Sequence, residues 1–265
     1  MKKSRILALA LVGCLGFGLV ACGDGDTDDN GVVSHVVTAE QWTAAFSAET
    51  LLKNVTVVAR EEETSALDAE ELSWENARVS NWLTKIDTTK QIIYTAHWAE
   101  NEEFDEQSSR QTVYTKEENR DYIYQNYNYE IEEENWGWWR YEARGADFGI
   151  AYELYEGYSY QLKYGSLCWQ FGSFEDYTYN EEQEQYELNN DSLELYAWRS
   201  ATFFDFRFYE PSVIIKFTNG KVSFIEVSGC DPGWSANAAT RPYLKQTMTF
   251  SNYGTTEVSI PQITK

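Results

Sequence analysis

Apolar and polar positions alternate along most of this chain, and two stretches break the alternation with a helical period. The first opens at Thr38. Thr38 and Gln41 form a capping-box pattern, in which each side chain satisfies the other residue's backbone N–H. Trp42, Ala45 and Phe46 then share one helical face, so a helix is expected from Thr38 to near Lys53. The second stretch is Tyr158–Phe171. There Tyr160, Tyr164, Leu167, Cys168 and Phe171 form one stripe of a helix of about three turns. Gly157, Gly165 and Gly172 weaken that helix, and its stripe reads as core packing.

The rest reads as short strands. Asn54–Arg60 alternates Val55 and Val57 against Thr56. The acidic stretch 61–76 is expected to be a loop or poorly ordered. Strands are expected at 78–86, 90–98, 111–116, 120–127 and 136–143, rich in the β-branched and aromatic residues that strands prefer. The polar turn Lys116–Asn119 between TVYT and DYIYQ suits an antiparallel meander. Residues 174–188 read as strand, polar turn, strand, and 193–198 and 202–209 give two more strands.

The clearest hairpin is Val213–Val227, turned by Asn219-Gly220, a strong type I′ signal. A two-residue loop pairs Thr218 with Lys221 and Phe217 with Val222. Val213, Ile215, Phe217, Val222 and Phe224 then share a face, opposite Lys216, Thr218, Lys221 and Ser223. Farther from the turn the pattern inverts: Ile214 and Ile225 fall on the polar side and Glu226 on the apolar side. Either both faces are covered there or a bulge intervenes. Glu226 is then either a carboxylate facing a cavity or a residue at the sheet's rim. Two last strands are expected at 246–251 and 255–260, around Asn252-Tyr253-Gly254 and stopped by Pro261.

The N-terminus carries an export signal. Lys2, Lys3 and Arg5 precede an uncharged apolar run, Ile6–Ala21, too short to span a bilayer comfortably. Its ending, Leu19-Val20-Ala21-Cys22-Gly23, resembles a bacterial lipobox. That resemblance implies cleavage between Ala21 and Cys22 and a diacylglyceryl group on the Cys22 thiol. An ordinary secretory signal with an incidental cysteine is the alternative. Lipidation would hold the protein on the outer face of a membrane, each buried methylene contributing ~0.8 kcal/mol. The organisation expected is a signal peptide over 1–21, a lipidated cysteine and acidic tether over 22–36, and one domain over 37–265. Asp26, Asp28, Asn30 and Gly31 match the first half of a calcium loop, but its twelfth position is Val37 instead of a glutamate. The tether reading wins.

Charge and composition narrow the function. The formal net charge is −22, and loss of the three basic leader residues takes it to about −25. Such a surface repels nucleic acid and anionic lipid headgroups. Aromatic residues make up 16% of the chain, with 10 Trp and 19 Tyr, which suits a core beside a wet cavity and equally a sugar-stacking surface. Of four cysteines, Cys14 leaves with the leader and Cys22 takes the lipid. Cys168 and Cys230 remain, and in an exported protein a disulfide between them is expected, with two separately buried thiols as the alternative. Two cysteines with only His35 and His97 match no zinc spacing, so no metal or other cofactor is expected. His97 is the one realistic general base and no nucleophile-elbow sequence accompanies it. With 43 acids, carboxylate pairs carry no weight. No enzymatic activity is expected.

The closing stretch TMTFSNYGTTEVSIP resembles the end of the LolA-like lipoprotein superfamily, in particular the group of LppX and LprG. FEDYTYNEEQEQYEL is similar to the middle of small exported lipoproteins of Gram-positive bacteria in this group. The order lipobox, tether, helix, strands, mid-chain helix, strands is similar as well, over most of 38–262. The resemblance implies an α+β fold, mainly antiparallel: a curved sheet or half-barrel with helices covering its open face, and in some relatives acyl chains between them. The lining positions follow no motif, so none is carried over by number. The function expected is a membrane-anchored carrier of a lipid-like apolar ligand. The alternative is a non-catalytic module that binds glycan or protein through exposed aromatics such as Trp136, Trp138 and Trp139 of the run NWGWWRYE. Adjacent strand residues face opposite sides, so some of these tryptophans must enter a core.

Overall fold

The computed structural model describes residues 33–51, 53–65, 77–99, 110–117, 120–126, 137–142, 173–189, 196–197, 206–207, 209–230 and 242–263. They belong to one compact unit that starts at Val33. Helix α1 (Ala39–Ala45) begins with the expected box: Gln41 N–H donates to Thr38 Oγ1 (3.2 Å) and Thr38 N–H to Gln41 Oε1 (2.8 Å). It ends earlier than expected. Phe46 leaves helical geometry, and Ser47 caps a separate short helix, α2 (Ala48–Leu51), by accepting the Thr50 N–H on its hydroxyl.

Eleven strands pair into one antiparallel sheet. They are β1 (Asn54–Ser65), β2 (Arg78–Asp87), β3 (Ile92–Ala99), β4 (Arg110–Glu117), β5 (Arg120–Gln125), β6 (Trp139–Glu142), β7 (Tyr177–Asn180), β8 (Gln185–Leu188), β11 (Tyr209–Thr218), β12 (Lys221–Cys230) and β13 (Pro242–Ser251). Between β8 and β11, β9 (Tyr196–Ala197) and β10 (Phe206–Arg207) pair with each other alone. The order across the sheet is β6-β5-β4-β3-β2-β1-β13-β12-β11-β8-β7. The two outermost strands, β6 and β7, do not pair with each other, so the sheet is open.

This corrects the expected fold class. The protein is mainly β, not α+β, and no half-barrel capped by helices forms among the described residues. The physical reason lies in α1. Its apolar stripe is only Trp42, Ala45 and Phe46, and the break at Ser47 stops it after seven residues. A helix that short covers one end of an eleven-stranded sheet. The expected helix at 158–171, with its Cys168, lies outside the described residues.

Register sorts the side chains into two faces. The inner face carries Val55, Val57, Ile86, Ile93, Ile123, Ile215, Ile225, Met248 and Phe250, all buried. At its centre is Trp42, 1% exposed, with its ring 4.8–6.0 Å from those of Phe46, Phe174, Tyr177, Tyr186 and Phe217. Tyr186 also ties the N-terminal segment down, accepting the Val37 N–H (2.9 Å) and donating to its carbonyl (3.0 Å).

Three further expectations are corrected. β1 runs on through Ser65, where a loop was expected. Its acids are held by neighbours: Gln246 Nε2 donates to Glu61 (3.1 Å), and Glu62 lies 2.7 Å from Arg60 Nε and 2.6 Å from Lys245 Nζ. In the 213–227 hairpin, Thr218 pairs with Lys221 and Phe217 with Val222 as expected, but the ladder resumes with Lys216 opposite Phe224. Ser223 is the bulge. It returns Ile225 and Val227 to the inner face and puts Phe224 outside, 6.0 Å from Lys216 Nζ. Last, 255–260 forms no strand. Both edges of β13 are already taken, by β1 and β12, so no free edge is left for it. After the turn at Asn252–Gly254 the tail is held by Asn54, which donates to the Thr256 carbonyl (3.0 Å) and accepts its N–H (2.7 Å).

Candidate functional site

A second, smaller apolar cluster sits on the outer face of β3–β6. Its base is Ile92, Val113 and Tyr124, all buried. Tyr94, Tyr122, Trp138 and Val258 of the tail pack on it, each half-buried. Alternation explains the composition. Cross-strand pairing sets Tyr94 beside Val113, Val113 beside Tyr124 and Tyr124 beside Arg140, all on one side.

Charged groups surround these rings. The Arg140 guanidinium lies 3.9 Å from the Tyr122 ring centre and 5.7 Å from that of Tyr124, within cation–π range. Its Nη2 also donates to Glu117 (2.9 Å), whose other oxygen accepts the Tyr124 hydroxyl (2.8 Å). Burial, reinforced by that bond to Glu117, pushes the Tyr124 phenol up to about 12. Lys85 Nζ stands 5.6 Å from the Tyr94 ring, and Arg120 bonds Glu142 at 3.4 Å. Tyr94 donates to Gln111 (3.0 Å). The result is an aromatic patch on a rigid base with a rim of both charge signs.

Of the three tryptophans expected to be presented together, Trp136 lies outside the described residues. Trp138 and Trp139 are on opposite faces, as neighbouring strand residues must be: Trp138 in the outer patch, Trp139 on the inner face opposite Gln125 and 36% exposed. The sequence reading missed Tyr94, Tyr122 and Arg140. The signal was present in the shared alternation of DYIYQ and WWRYE, but using it needs the register between β5 and β6.

Other singled-out residues fall elsewhere. His97 is on the inner face, its ring 5.1 Å from that of Trp82. His35 Nδ1 is 2.9 Å from the Phe217 carbonyl, and Nε2 is 3.5 Å from Glu184. Glu226 stands on the outer face opposite Ile214, because the bulge turns it away from the core. Cys230 ends β12 in register with Tyr243. Ala21 and Cys22, and Asp26 to Gly31 of the calcium half-loop, lie outside the described residues. Among the described residues no three His, Cys, Asp or Glu side chains group to hold a metal, and no helix is long and apolar enough to cross a membrane.

No protein-family model matches the chain, and a search of curated proteins finds no match. The likeness to the LolA-like lipoproteins rests on the residues quoted for it.

Proposed function

We propose that the protein is an exported lipoprotein, held on the outer face of a membrane by the lipidated Cys22 after cleavage behind Ala21, and that it acts without catalysis as a binding module for a protein partner. The observation that carries this reading is the outer patch, with Tyr122, Trp138 and Arg140 around a buried base and a charged rim. Interfaces concentrate binding energy in Tyr, Trp and Arg near their centres and place charge at the rim. Carriage of an apolar ligand has less support. The space between α1 and the sheet is filled by the protein's own Trp42, Phe46, Phe217 and Tyr186.

The test is a photo-activatable benzophenone residue at position 138 of the full chain, with the same residue at the exposed Thr178 of β7 as control. A discrete cross-linked protein from position 138 alone, lost when Arg140→Ala is added, is expected. Equal or absent cross-linking at the two positions sinks the reading. Glycan-array binding that depends on Trp138 would replace the protein partner by a glycan.

A further inference from the structure

The N-terminal segment is fastened to one end of the sheet before the chain enters α1. Asn219 donates its N–H to the Ser34 carbonyl (2.9 Å) and accepts the Ser34 N–H on Oδ1 (3.2 Å). His35 Nδ1 lies 2.9 Å from the Phe217 carbonyl, and Val37 is held by the Tyr186 hydroxyl. The chain therefore leaves the described residues toward Cys22 at Val33, beside the turn of the β11–β12 hairpin. Val33 and Val36 are 49% and 57% exposed there.

The same end gathers several turns. β2 and β3 join through residues 88–91, β11 and β12 through Asn219-Gly220, and β13 ends in the turn at Asn252–Gly254, beside the start of β1. Bonds run from one to the next. Thr88 N–H donates to the Lys53 carbonyl (2.8 Å), Gly254 N–H to the Asn54 carbonyl (2.9 Å) and the Tyr253 hydroxyl to the Val222 carbonyl (2.8 Å). Lys221 Nζ lies 5.4 Å from the Tyr253 ring centre. Lys53, Lys90 and Lys221 are exposed along this edge. The acid among these residues, Asp87, is 3% exposed and already bonded to Thr89 and Lys90. Exposed acids flank the edge instead, Glu49 on α2 and Glu181, Glu182 and Glu184 in the β7–β8 turn. In a chain of 43 acids and 21 bases, a stretch whose exposed charges are all lysines is the exception.

We infer that this edge of the sheet faces the membrane and that Lys53, Lys90 and Lys221 contact the phosphates of its lipid headgroups, an inference that rests on the lipidated Cys22. A chain with a net charge of −22 is repelled by an anionic surface. Held there by a lipid, it turns to that surface the part whose exposed cations are not countered, because basic side chains gain from anionic lipids only within about a Debye length. The tether adds a second constraint. It joins the domain beside the hairpin that carries Lys221, and the bonds of Ser34, His35 and Val37 pass its direction to the sheet. The strands then rise away from the bilayer, which leaves the outer aromatic patch open to a partner from the side.

The test uses the full exported protein with its lipid, reconstituted into vesicles of equal parts phosphatidylcholine and phosphatidylglycerol that carry nitroxide-labelled headgroups. A fluorescent coumarin amino acid replaces either Thr255, exposed next to Gly254, or Arg78, exposed and about 30 Å along β1 from this edge. Flotation with the vesicles reports the anchor, and quenching by the nitroxide reports the orientation. Quenching at position 255 is expected to exceed that at 78 by about threefold or more, and to fall by a similar factor in high salt and in the triple variant Lys53→Gln, Lys90→Gln, Lys221→Gln. Arginine at the same three positions should keep it. Floating protein that is quenched equally at both positions, or whose quenching neither salt nor the glutamine variant lowers, would overturn the inference with the anchor intact. Protein that fails to float would overturn it through loss of the anchor.

Discussion

Arg140 stands directly across from Tyr124 in the β5–β6 ladder, yet its guanidinium lies closer to Tyr122, diagonally placed, at 3.9 Å from the ring centre. Diagonal neighbours on one face are within reach of long side chains, and here the reach lets Arg140 bond Glu117 as well. A double-mutant cycle between Arg140→Ala and Tyr122→Leu should return a coupling of about 0.5–1 kcal/mol in denaturant unfolding. Arg140→Lys should lose most of it, because an ammonium lacks the planar face that covers a ring. Additive single-mutant effects would show that the contact carries no energy.

Alkaline pH should unfold the protein through its tyrosines. Tyr124 titrates near 12, raised from 10 first by burial and then by its bond to Glu117, and burial also raises Tyr177 and Tyr253. The sign follows from the shift. A group whose folded pKa lies above its unfolded value adds stability below the unfolded pKa and loses it as pH rises through the folded one. Stability should therefore be level up to about pH 10 and fall between 10 and 12. Tyr124→Phe should make that fall shallower. A spectrophotometric titration showing Tyr124 ionising at 10 in the folded protein would refute the assignment.

Glu61 and Glu62 are adjacent in β1 and should respond to pH with opposite signs. Burial, the largest influence on Glu61, holds its carboxyl above the ordinary range despite the bond from Gln246. Burial acts on Glu62 too, but bonds from Lys245 and Arg60 outweigh it and hold that carboxyl low. Glu61 therefore favours folding below its unfolded pKa and costs stability as pH rises through its folded one, while Glu62 favours folding above its unfolded pKa and loses that on acidification. At pH 7, Glu61→Gln should raise Tm and Glu62→Gln should lower it. The Glu61→Gln gain should vanish once the medium is acidic enough to protonate Glu61 in both states. The same sign for both variants at pH 7 would refute this.

The bulge at Ser223 makes a prediction about register. With Phe217 opposite Val222 and Lys216 opposite Phe224, removing Ser223 leaves an unbroken ladder with every other side chain on its present face. The Ser223 deletion should therefore fold, losing its hydroxyl's bond to the Lys216 carbonyl and little more. Deleting Thr249, in a regular stretch of β13, should instead misplace Met248 or Phe250 from the core and unfold the protein. Equal damage from both deletions would contradict the assigned bulge.

That hairpin also shows how far the sequence could be read. Asn219-Gly220 set the turn and first two pairs, because turn chemistry is local. The inversion at Ile225 and Glu226 called for either a bulge or two covered faces, and only the register of β11 against β12 beyond the turn decides between them. The capping box at Thr38 was legible for the same local reason. β1 beyond Arg60 was not: three glutamates in a row look like a loop until Lys245 and Gln246 arrive on the neighbouring strand. The missing strand at 255–260 depends on which edges are already occupied, which no local pattern records. The outer patch was half legible. Trp138 stood out in NWGWWRYE, while its partnership with Tyr94 and Tyr122 depends on the order of β3 to β6.

The anchor is the part of the proposal on which the rest depends for its setting. If Cys22 carries a diacylglyceryl group, Cys22→Ala should abolish metabolic labelling with radioactive palmitate, leave the leader uncut and raise the apparent mass on a gel. Mass spectrometry of the purified wild-type protein should then find the lipid on Cys22 and no residue before it. The same preparation tests carriage. With the inner face beneath α1 filled by Trp42 and its five ring neighbours, native spectra should show the covalent lipid and no further apolar molecule. Trp42→Ala should cost about 3–5 kcal/mol instead of opening a functional pocket. An extra mass that organic extraction removes from the wild type would restore the carrier reading. A processed, unlabelled protein beginning elsewhere than Cys22 would remove the membrane from the account altogether.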